Sequence, residues 1–458
     1  MTQDEFTIEA LRRLPVAASL LSVFAIICSE ERMAKIFSEH RGRSYEDVLS
    51  FHGLVKLMFS AVLEHNAVGR KAFLNAREHD QMPVTDQACY GKIRRIPPTL
   101  SHALLHESIP ALLELFPESV TTQVPSCFNN HNIYGIDGKK LKDVAKRLKE
   151  TRGTPGKLLG GKTLVALSIH ERIAVAMNSS LDGEANDCPL VPGLLQSVSA
   201  RTPTDNIFLA DSQFCDLTTP RHILGYGWDF VMRYHPKVHF YIDPKIKVRR
   251  GKDSRGRQYF EEIGWLGKPE SKTCIRVRRI TVTREGKPDL IIVTSLLDSD
   301  LFNASDILDL YALRWTIETV FQHITKEFDL RHMIGSTAEA TIFQFSISLL
   351  LYNIMILIQS HASEQQGLNV EELSLPKIMD TAKTQLSALA EVSDPTEIAD
   401  AMLNKRLTPA RVVQGLRNLW DDDWIKAPKN KRKPKPPPIK KSGAHTSVQR
   451  QIEAYYAT

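Results

Sequence analysis

The chain has 458 residues, of which 42% are hydrophobic and 24% charged, a composition that excludes fibrous and wholly disordered classes. The length allows several structural units around a substantial core. The net charge is +6, but Lys426–Lys441 holds eight Lys and Arg and no acid, so removing those eight charges leaves −2 on the rest. A basic segment on a nearly neutral body suggests an anionic partner such as a phosphate backbone. A solubilising tail is the alternative.

The spacing of the cysteines and the length of the apolar runs indicate in which cellular compartment the protein is expected. The six cysteines lie far apart, which indicates neither a zinc site nor a disulfide framework and favours a reducing cytoplasm. Acidic residues among the first ten argue against a signal peptide. The apolar run Ile342–Ile358 resembles a membrane span, but polar residues such as Gln344 and Asn353 interrupt it. We therefore expect a buried core helix and no membrane association.

Residues 1–125 have helical periodicity, clearest in Val48–Leu63 and Leu104–Phe116. Between these runs, Thr85–Arg95 is predicted to be a short helix capped by Thr85 or Asp86.

The side chains of Lys92, Arg94 and Arg95 on this short helix are candidates for contact with DNA phosphates or bases. A solvated basic face is an equally good interpretation.

After residue 130 the pattern changes to short β-type runs, with one helical run around Pro192–Val198. The predicted strands are Asn132–Ile136, Thr163–His170, Ile173–Met177, Asn206–Ala210 and Phe230–Tyr234. Three strands, a helix and two strands are typical of a mixed α/β sheet.

The remainder of the chain divides by composition. Residues 238–290 are polar and rich in Arg and Lys, which favours a β-rich insertion before an apolar strand, Leu290–Leu296. Helical periodicity then runs from Ala304 to about Ser360. A further helical segment ends in the Pro/Lys tail, for which we predict disorder.

The segment Gly156–Thr163 matches the phosphate-loop pattern G-x4-G-K-[ST]. That motif needs a strand before the loop and a helix after it, whose N–H groups face the phosphates. Here charged residues precede the segment and a predicted strand follows it. We interpret it as a glycine loop leading into a strand, and expect no nucleotide partner.

Two aspartates follow predicted strands. Asp137 comes directly after Asn132–Ile136, and Asp211 directly after Asn206–Ala210. Carboxylates at the ends of adjacent strands suit Mg²⁺, which prefers oxygen ligands and is held by one or two carboxylates plus substrate phosphate. For each aspartate taken alone, a turn residue at the end of a strand is the favoured interpretation.

Tyr311, Arg314 and Glu318 are spaced to share one stripe of a predicted helix, because each residue advances about 100° around the axis. A surface Arg–Glu pair is the simpler interpretation and contributes only tenths of a kcal/mol. The neighbouring apolar residues, however, predict a packed helix, in which charged groups need a partner.

The chain resembles the insertion-sequence-four family of DDE transposases, whose catalytic core is ribonuclease-H-like. Their pattern Tyr-x2-Arg-x3-Glu-x6-Lys agrees with Tyr311, Arg314 and Glu318. The strand-end Asp137-Gly138 and Asp211-Ser212 fit the first two acids of the family, and the resemblance covers about residues 130–360. The pattern's lysine falls on Thr325. Lys326 lies one place later, about 80° from Glu318 around the helix, so its role stays open.

The resemblance implies a domain organisation. It consists of a helical DNA-binding region (1–125), the ribonuclease-H-like core in two parts (126–237 and 291–362), a β-rich insertion (238–290), a helical C-terminal region (363–425) and the basic tail (426–458). The second part of the core carries the catalytic helix.

The resemblance also implies the chemistry. Asp137, Asp211 and Glu318 would bind two Mg²⁺ or Mn²⁺ ions for in-line phosphoryl transfer at the ends of a bacterial insertion sequence. Tyr311 and Arg314 would grip phosphates near the cut. Family members cut the second strand through a hairpin. Trp315 is either a DNA contact near that machinery or, as we favour, a core residue.

The implied partners are double-stranded DNA, as terminal repeats and target, and a second copy of the chain in the DNA complex. The implied location is the bacterial cytoplasm, at the nucleoid. A DNA-binding relative that has lost catalysis and acts as a repressor is the alternative, favoured only by the displaced lysine. An ATP-driven enzyme rests on Gly156–Thr163 alone.

Overall fold

A computed structural model describes residues 12–78, 82–117, 122–391, 398, 402, 407–426 and 445–457. The helices are α1 (Pro15–Ile27), α2 (Glu30–His40), α3 (Phe51–Leu63), α4 (Gly69–Glu78), α5 (Asp86–Arg94), α6 (Pro98–His106), α7 (Ile109–Leu113), α8 (Val191–Ser199), α9 (Thr218–Gly225), α10 (Ala304–Ala312), α11 (Trp315–Glu327), α12 (Ala338–Gln366), α13 (Leu375–Ala390), α14 (Pro409–Leu416) and α15 (Val448–Ala457). The strands are β1 (Asn132–Lys140), β2 (Lys157–Leu159), β3 (Lys162–Ser168), β4 (Ala174–Ser180), β5 (Asn206–Ala210), β6 (Asp229–Arg233), β7 (Phe240–Ile242), β8 (Arg249–Lys252), β9 (Gln258–Leu266), β10 (Ile275–Val282), β11 (Leu290–Thr294) and β12 (His445–Ser447).

Ten strands form one mixed sheet in the order β4-β3-β1-β5-β6-β11-β10-β9-β7, with β8 paired to β9. β3 is antiparallel to its two neighbours, β1 and β4, whereas β1, β5 and β6 run parallel. The parallel centre is apolar because helices cover both of its faces, and all five residues of β5 are buried. The predicted mixed α/β fold class, with its β-rich insertion and helical flanks, is confirmed.

The insertion extends the same sheet. β7 to β10 lie between residues 240 and 282, and β11 joins them antiparallel to β6. Charged residues are frequent in β9 and β10, where Arg278 pairs with Glu261 and Arg279 with Glu262 across the two strands. These ion pairs account for part of the polar composition of the segment.

The N-terminal helices share a core with the sheet. One continuous apolar cluster includes residues from α1 to Trp424. Helix α12 lies at its centre and, among the described residues, is the helix long and apolar enough to cross a membrane by composition. The apolar part of α12 is fully buried inside the protein, as predicted for a core helix.

The polar residues of α12 make hydrogen bonds inside the protein. Asn353 accepts from the N–H of Ala174 at 2.8 Å and donates to its carbonyl at 2.7 Å, which attaches the helix to β4. Gln344 accepts from the N–H of Ile334 at 2.8 Å. Buried polar groups of this kind are tolerated because each has a partner.

The glycine loop Gly160-Gly161 leads into a strand, as predicted, and no helix follows it. Gly161 has φ +110°, a backbone conformation that side-chain-bearing residues rarely adopt. Lys162, the lysine of the phosphate-loop pattern, is buried and paired with Asp187 at 2.8 Å.

Two predictions about chain segments were wrong. The predicted disorder of 426–458 does not hold at its C-terminal end, because β12 pairs with β2 and α15 follows it. Arg450 of α15 binds the Asp182 carboxylate at 2.7 Å, which fixes this end to the sheet domain. Residues 427–444 lie outside the described residues. The predicted strand Asn132–Ile136 also continues to Lys140, because β3 remains paired with β1 that far.

Candidate active site

Asp137 lies within β1, and Asp211 directly follows the parallel strand β5. Gly135 of β1 pairs with Leu209 of β5, and each aspartate comes two residues later in the chain. Neighbouring strands are about 4.8 Å apart, so the two carboxylates start from adjacent backbone positions. β5 ends at Ala210, so Asp211 is the first residue after that strand, whereas β1 continues past Asp137 to Lys140.

Among the described residues, the Asp211 carboxylate makes no hydrogen bond or ion pair that would explain its position. It begins a 3-10 turn, Ser212–Phe214, but does not cap that turn with its side chain. Asp137 accepts one hydrogen bond, at 2.8 Å from the backbone N–H of Gly138.

Helix α11 brings Glu318 to these aspartates. Ile317 packs against Gly135, with its Cβ 3.8 Å from where a Cβ of Gly135 would be. The next residue, Glu318, is close enough to Asp137 for its negative charge to raise the pKa of Asp137. The structure therefore brings Glu318 close to Asp137, where β5 ends beside β1 and Asp211 follows.

The helix that carries Tyr311 and Glu318 is interrupted, contrary to the prediction of a single helix. It stops at Ala312 and restarts at Trp315, and i→i+3 hydrogen bonds replace the helical ones, such as Arg314 N–H to Tyr311 O at 3.1 Å. The residues nevertheless stay together, because Leu313 and Arg314 keep right-handed helical dihedral angles.

Arg314 is the centre of the charge network. Its side chain is only 5% exposed and binds the Glu318 carboxylate at 2.9 Å. The guanidinium also lies over the Tyr311 ring, 5.7 Å from the centroid. Burial lowers the pKa of Arg314, but Tyr311, Glu318 and Asp211 raise it, and the net direction is upward. Burial raises the pKa of Tyr311 to about 12, so both groups keep their protons at neutral pH.

The pKa of Asp137 is shifted well above the usual value of an aspartate. Burial raises its pKa to about 6, the Gly138 N–H and Arg314 oppose that rise, and Glu318 and Asp187 add to it. Carboxylates that are buried together favour an added cation, because each disfavours the charge of the others.

Asp187 and Lys162 are site neighbours that sequence reasoning missed. A Cβ on Gly138 would meet the Asp187 carboxylate at 2.0 Å, so glycine after Asp137 is required by this close approach. Asp187 is neutralised by Lys162 and accepts from Gln213 Nε2 at 2.8 Å. No local sequence signal links these residues, because they come from three separate loops and strands.

The donor set fits a hard divalent ion, since Asp137, Asp211 and Glu318 offer only carboxylate oxygens. Among the described residues, the His/Cys/Asp/Glu trio whose ligand atoms all lie within 4.8 Å of one another is instead Glu39, His40 and Glu107. Two of these form an ordinary pair, with His40 Nε2 2.6 Å from Glu107 Oε1. In Asp137, Asp211 and Glu318, by contrast, the Glu318 carboxylate is paired with Arg314.

Trp315 is on the surface, so its interpretation as a core residue was wrong. Its side chain is 60% exposed and stacks near Arg314, with the guanidinium carbon 5.0 Å from the ring centroid. It lines a cleft of about 400 Å³ together with Tyr311 and Arg314. Four more arginines line that cleft, Arg233, Arg255, Arg257 and Arg284.

Lys326 does not join this site. It is 77% exposed and pairs with Glu327 at 3.2 Å. Thr325 occupies the position of the pattern's lysine. Its hydroxyl accepts a hydrogen bond from Nζ of Lys139, on β1, at 2.8 Å. Burial and nearby Lys142 lower the pKa of Lys139, and Asp137 opposes that change.

The basic residues of α5 fall into two groups. Thr85 caps the helix, as predicted, by accepting from the Ala88 N–H at 3.2 Å. Lys92 is 8% exposed, donates to the Leu49 carbonyl and lies over the Phe37 ring, so its assignment as a DNA contact was wrong. Its long aliphatic stem can be buried while one carbonyl satisfies the ammonium.

Arg94 and Arg95 are exposed, and their contact with DNA stays a prediction. They line a cleft of about 670 Å³ with Arg147 of a neighbouring loop.

Comparison with known proteins identifies the central region. Residues 137–354 match the transposase DDE domain family. A solved structure of piggyBac transposase, in a synaptic complex with hairpin DNA, is similar over 89% of this chain and 88% of that one, with 11% identity and a TM-score of 0.41. That likeness is too low to support an argument about the site. No curated protein matches the chain.

The matched region begins at Asp137 and contains Asp211, the Tyr311–Glu318 segment and most of α12. The chain therefore carries a transposase DDE domain over residues 137–354, and its enzyme class is that of the DDE transposases.

Proposed function

We propose that the chain is a transposase of the insertion-sequence-four type, which cuts DNA at the ends of its element and joins them to target DNA. The observation that carries this proposal is the placement of Asp137 on β1, and of Asp211 directly after the parallel strand β5, with Glu318 close to Asp137. Those three residues would hold two Mg²⁺ or Mn²⁺ ions. DDE transposases use divalent metal ions, and the number and identity of the ions here are part of the proposal.

The reaction is an in-line displacement at phosphorus. A water oxygen forms a new bond to the phosphorus while the bond to the 3′-oxygen breaks, and that oxygen leaves as a 3′-hydroxyl. In strand transfer this 3′-hydroxyl bonds to a phosphorus of the target, and the bond from that phosphorus to the target's own 3′-oxygen breaks. Bound divalent ions supply an activated attacking oxygen and stabilise the leaving oxygen. The protein contributes three carboxylates on rigid elements and the charge of Arg314 beside them.

The arginine-lined cleft beside α11 supports a role in holding the cut end. Arg314 keeps a buried Nε–H that has no hydrogen-bond partner among the described residues. A guanidinium with a free edge can bind phosphate through two parallel hydrogen bonds. Tyr311, Arg314 and Trp315 would grip the terminal nucleotides, and second-strand cleavage would proceed through a hairpin in a cut-and-paste reaction.

The remaining parts of the proposal concern partners. Double-stranded DNA would be bound as terminal repeats and as target, with Arg94 and Arg95 as further contacts, and two copies of the chain would synapse two ends. This assigns the protein to the bacterial nucleoid in the cytoplasm. The basic segment Lys426–Lys441 supports an electrostatic contribution to DNA binding.

The test uses the full chain with a duplex carrying the repeats that flank its coding region, and with Mg²⁺. Wild-type protein should nick the duplex at the repeat boundary, and Asp137→Asn, Asp211→Asn and Glu318→Gln should not. Asp300→Asn is the matched control, because Asp300 is an acid with an 88% exposed side chain just before α10, and it should cut normally. Cutting by all three amide variants would exclude the assigned site.

The hairpin step is tested separately with a duplex that is already nicked at the repeat boundary. A hairpin intermediate gives a product that migrates at the combined length of the two strands on a denaturing gel. Direct release of two separate strands would exclude the hairpin while leaving the metal site intact.

A DNA-binding repressor without catalysis is the second candidate, favoured by the exposed Lys326 at the end of the pattern. It predicts that wild type binds the repeats as tightly as a transposase but leaves every phosphodiester bond intact with Mg²⁺ or Mn²⁺.

A further inference from the structure

We propose that Lys139 binds the DNA backbone phosphate next to the one cut at the acids, an inference that rests on the proposed function. Lys139 lies two residues after Asp137 on β1, so both side chains point to the same face of the strand. The two residues are about 7 Å apart along the strand, at about 3.3 Å per residue. An extended lysine at this distance reaches beyond the reacting centre along the same DNA strand.

The ammonium of Lys139 is held in place by α11. Its Nζ donates to Thr325 Oγ1 at 2.8 Å, and Thr325 Oγ1 donates to the Phe321 carbonyl at 2.6 Å. The single hydroxyl proton of Thr325 is therefore committed to the helix, and its oxygen is an acceptor that orients the lysine. This contact joins two elements 186 positions apart in the chain.

Among the described residues, the ammonium of Lys139 has no anionic partner. Within the described part of the chain, no carboxylate lies within 4.0 Å of its Nζ, and its aromatic neighbour, Phe321, is 5.6 Å from it. A half-buried ammonium with two free N–H groups favours an anion.

The cleft around Lys139 has a positive character. It encloses about 410 Å³ and is lined by Lys139, Lys140, Lys142 and Arg331. Asp143 is the acid in its lining, and Lys157 binds that carboxylate. A phosphodiester, with its single negative charge and accessible oxygens, matches these donors.

The same contact explains the unusual end of the Tyr311–Glu318 pattern. At position 325 the chain has a hydroxyl that fixes a lysine from β1, rather than a lysine on α11. Lys326, exposed and paired with Glu327, is then free of a role in the site.

The experiment measures the salt dependence of binding of the full chain to the flanking-repeat duplex, without metal. Each phosphate contact contributes about 0.9 to the slope of log K against log salt concentration. Lys139→Met should lower that slope by about one, whereas Lys139→Arg should retain it. Lys326→Met, which removes the adjacent charge on α11, is the matched control and should leave the slope unchanged.

A second measurement identifies the phosphate. Neutral methylphosphonates are placed one at a time around the cut site, and one of them should weaken wild-type binding about tenfold, the effect of a charged hydrogen bond. That same replacement should change the binding of Lys139→Met less than about twofold. Lys139→Met that keeps the wild-type slope and the full methylphosphonate effect would overturn the inference, even where wild type cuts. Wild type that does not bind the duplex overturns the proposed function itself.

Discussion

Carboxylates in the two halves of the ten-stranded sheet differ in whether an arginine pairs with them. In the insertion, Glu261 and Glu262 of β9 are buried and bound by arginines of β10, with Arg278 Nε donating to Glu261 at 2.8 Å and Arg279 Nε to Glu262 at 2.9 Å. In the catalytic half, Asp137 and Asp211 have no ion pair within the described residues. The insertion supplies an arginine to each of these two glutamates, whereas the catalytic half leaves these two aspartates without an ion-pair partner among the described residues.

The difference separates structural acids from functional ones. A buried carboxylate with a built-in arginine is neutralised before any ligand arrives, whereas one without a partner is costly unless a cation comes from outside. Glu318 is intermediate, because Arg314 binds it while 30% of its side chain stays exposed. The comparison predicts that substitutions in the two halves affect different properties.

The largest expected effect is on cleavage, from Glu318→Gln. Loss of a metal ligand should slow single-turnover cleavage by at least about 10³-fold, because bound metal supplies several kcal/mol of transition-state stabilisation. The free energy of unfolding should change by less than about 1 kcal/mol. Glu261→Gln in the insertion should show the reverse, a loss of stability with cleavage per folded molecule preserved. Equal losses of cleavage in the two variants would contradict the separation.

The second effect is on stability, from Arg278→Met. Arg278 is 1% exposed, so its removal leaves Glu261 buried without a counter-charge and should destabilise the fold by about 3–5 kcal/mol. Urea unfolding measures this change. The double variant Arg278→Met/Glu261→Leu should recover most of the loss, because it removes both charges.

The matched control for Arg278→Met is Arg249→Ala. Arg249 is an insertion arginine whose side chain is 58% exposed and pairs with Asp300 at 3.1 Å. Exposed pairs contribute about 0–1 kcal/mol, so a loss near that of Arg278→Met would show that burial does not set the cost.

The contrast between the apolar centre of the sheet and the charged insertion also explains which strands the sequence could predict. β5 was predicted residue for residue, since a fully buried apolar run has unambiguous limits. The individual strands β7 to β9 were not assigned, because their buried positions include arginines and glutamates that pair only in three dimensions. The ordered C-terminal end was missed for the same reason, as β12 is held by its distant partner β2.

The part of the candidate site that could be predicted consists of residues spaced regularly within one segment. The spacing of Tyr311, Arg314 and Glu318 identified the charge network even though the helix breaks between them. Spacing could not reveal Lys139 beside Thr325, or Asp187 over Gly138, because these contacts join separate elements. Nor could it show that Lys92 turns inward to a carbonyl.

A third, smaller effect follows from the missing counter-charge at Asp137. Its pKa in the folded protein is raised to about 6, so folding favours the protonated form and the charged form costs stability. That cost is fully present above pH 6 and disappears as the pH falls below it. Without metal, Asp137→Asn should therefore stabilise the protein by about 1–2 kcal/mol at pH 8 and by nothing at pH 4. Urea unfolding at the two pH values, with Asp300→Asn as control, measures it. A destabilised Asp137→Asn at pH 8 would indicate that the carboxylate already has a partner.

The smallest expected effect concerns Trp315, the exposed aromatic residue beside the acids. Because its ring is 60% exposed and rests on Arg314, Trp315→Ala should change the free energy of unfolding by less than about 0.5 kcal/mol. A core tryptophan such as Trp228, which is 2% exposed, should cost about 3–5 kcal/mol when truncated in the same way. If Trp315→Ala unfolds as readily as Trp228→Ala, the tryptophan is structural. If it keeps its stability but binds the repeat duplex more weakly, the side chain faces DNA, and the catalytic half leaves an apolar group as well as its charges available to the substrate.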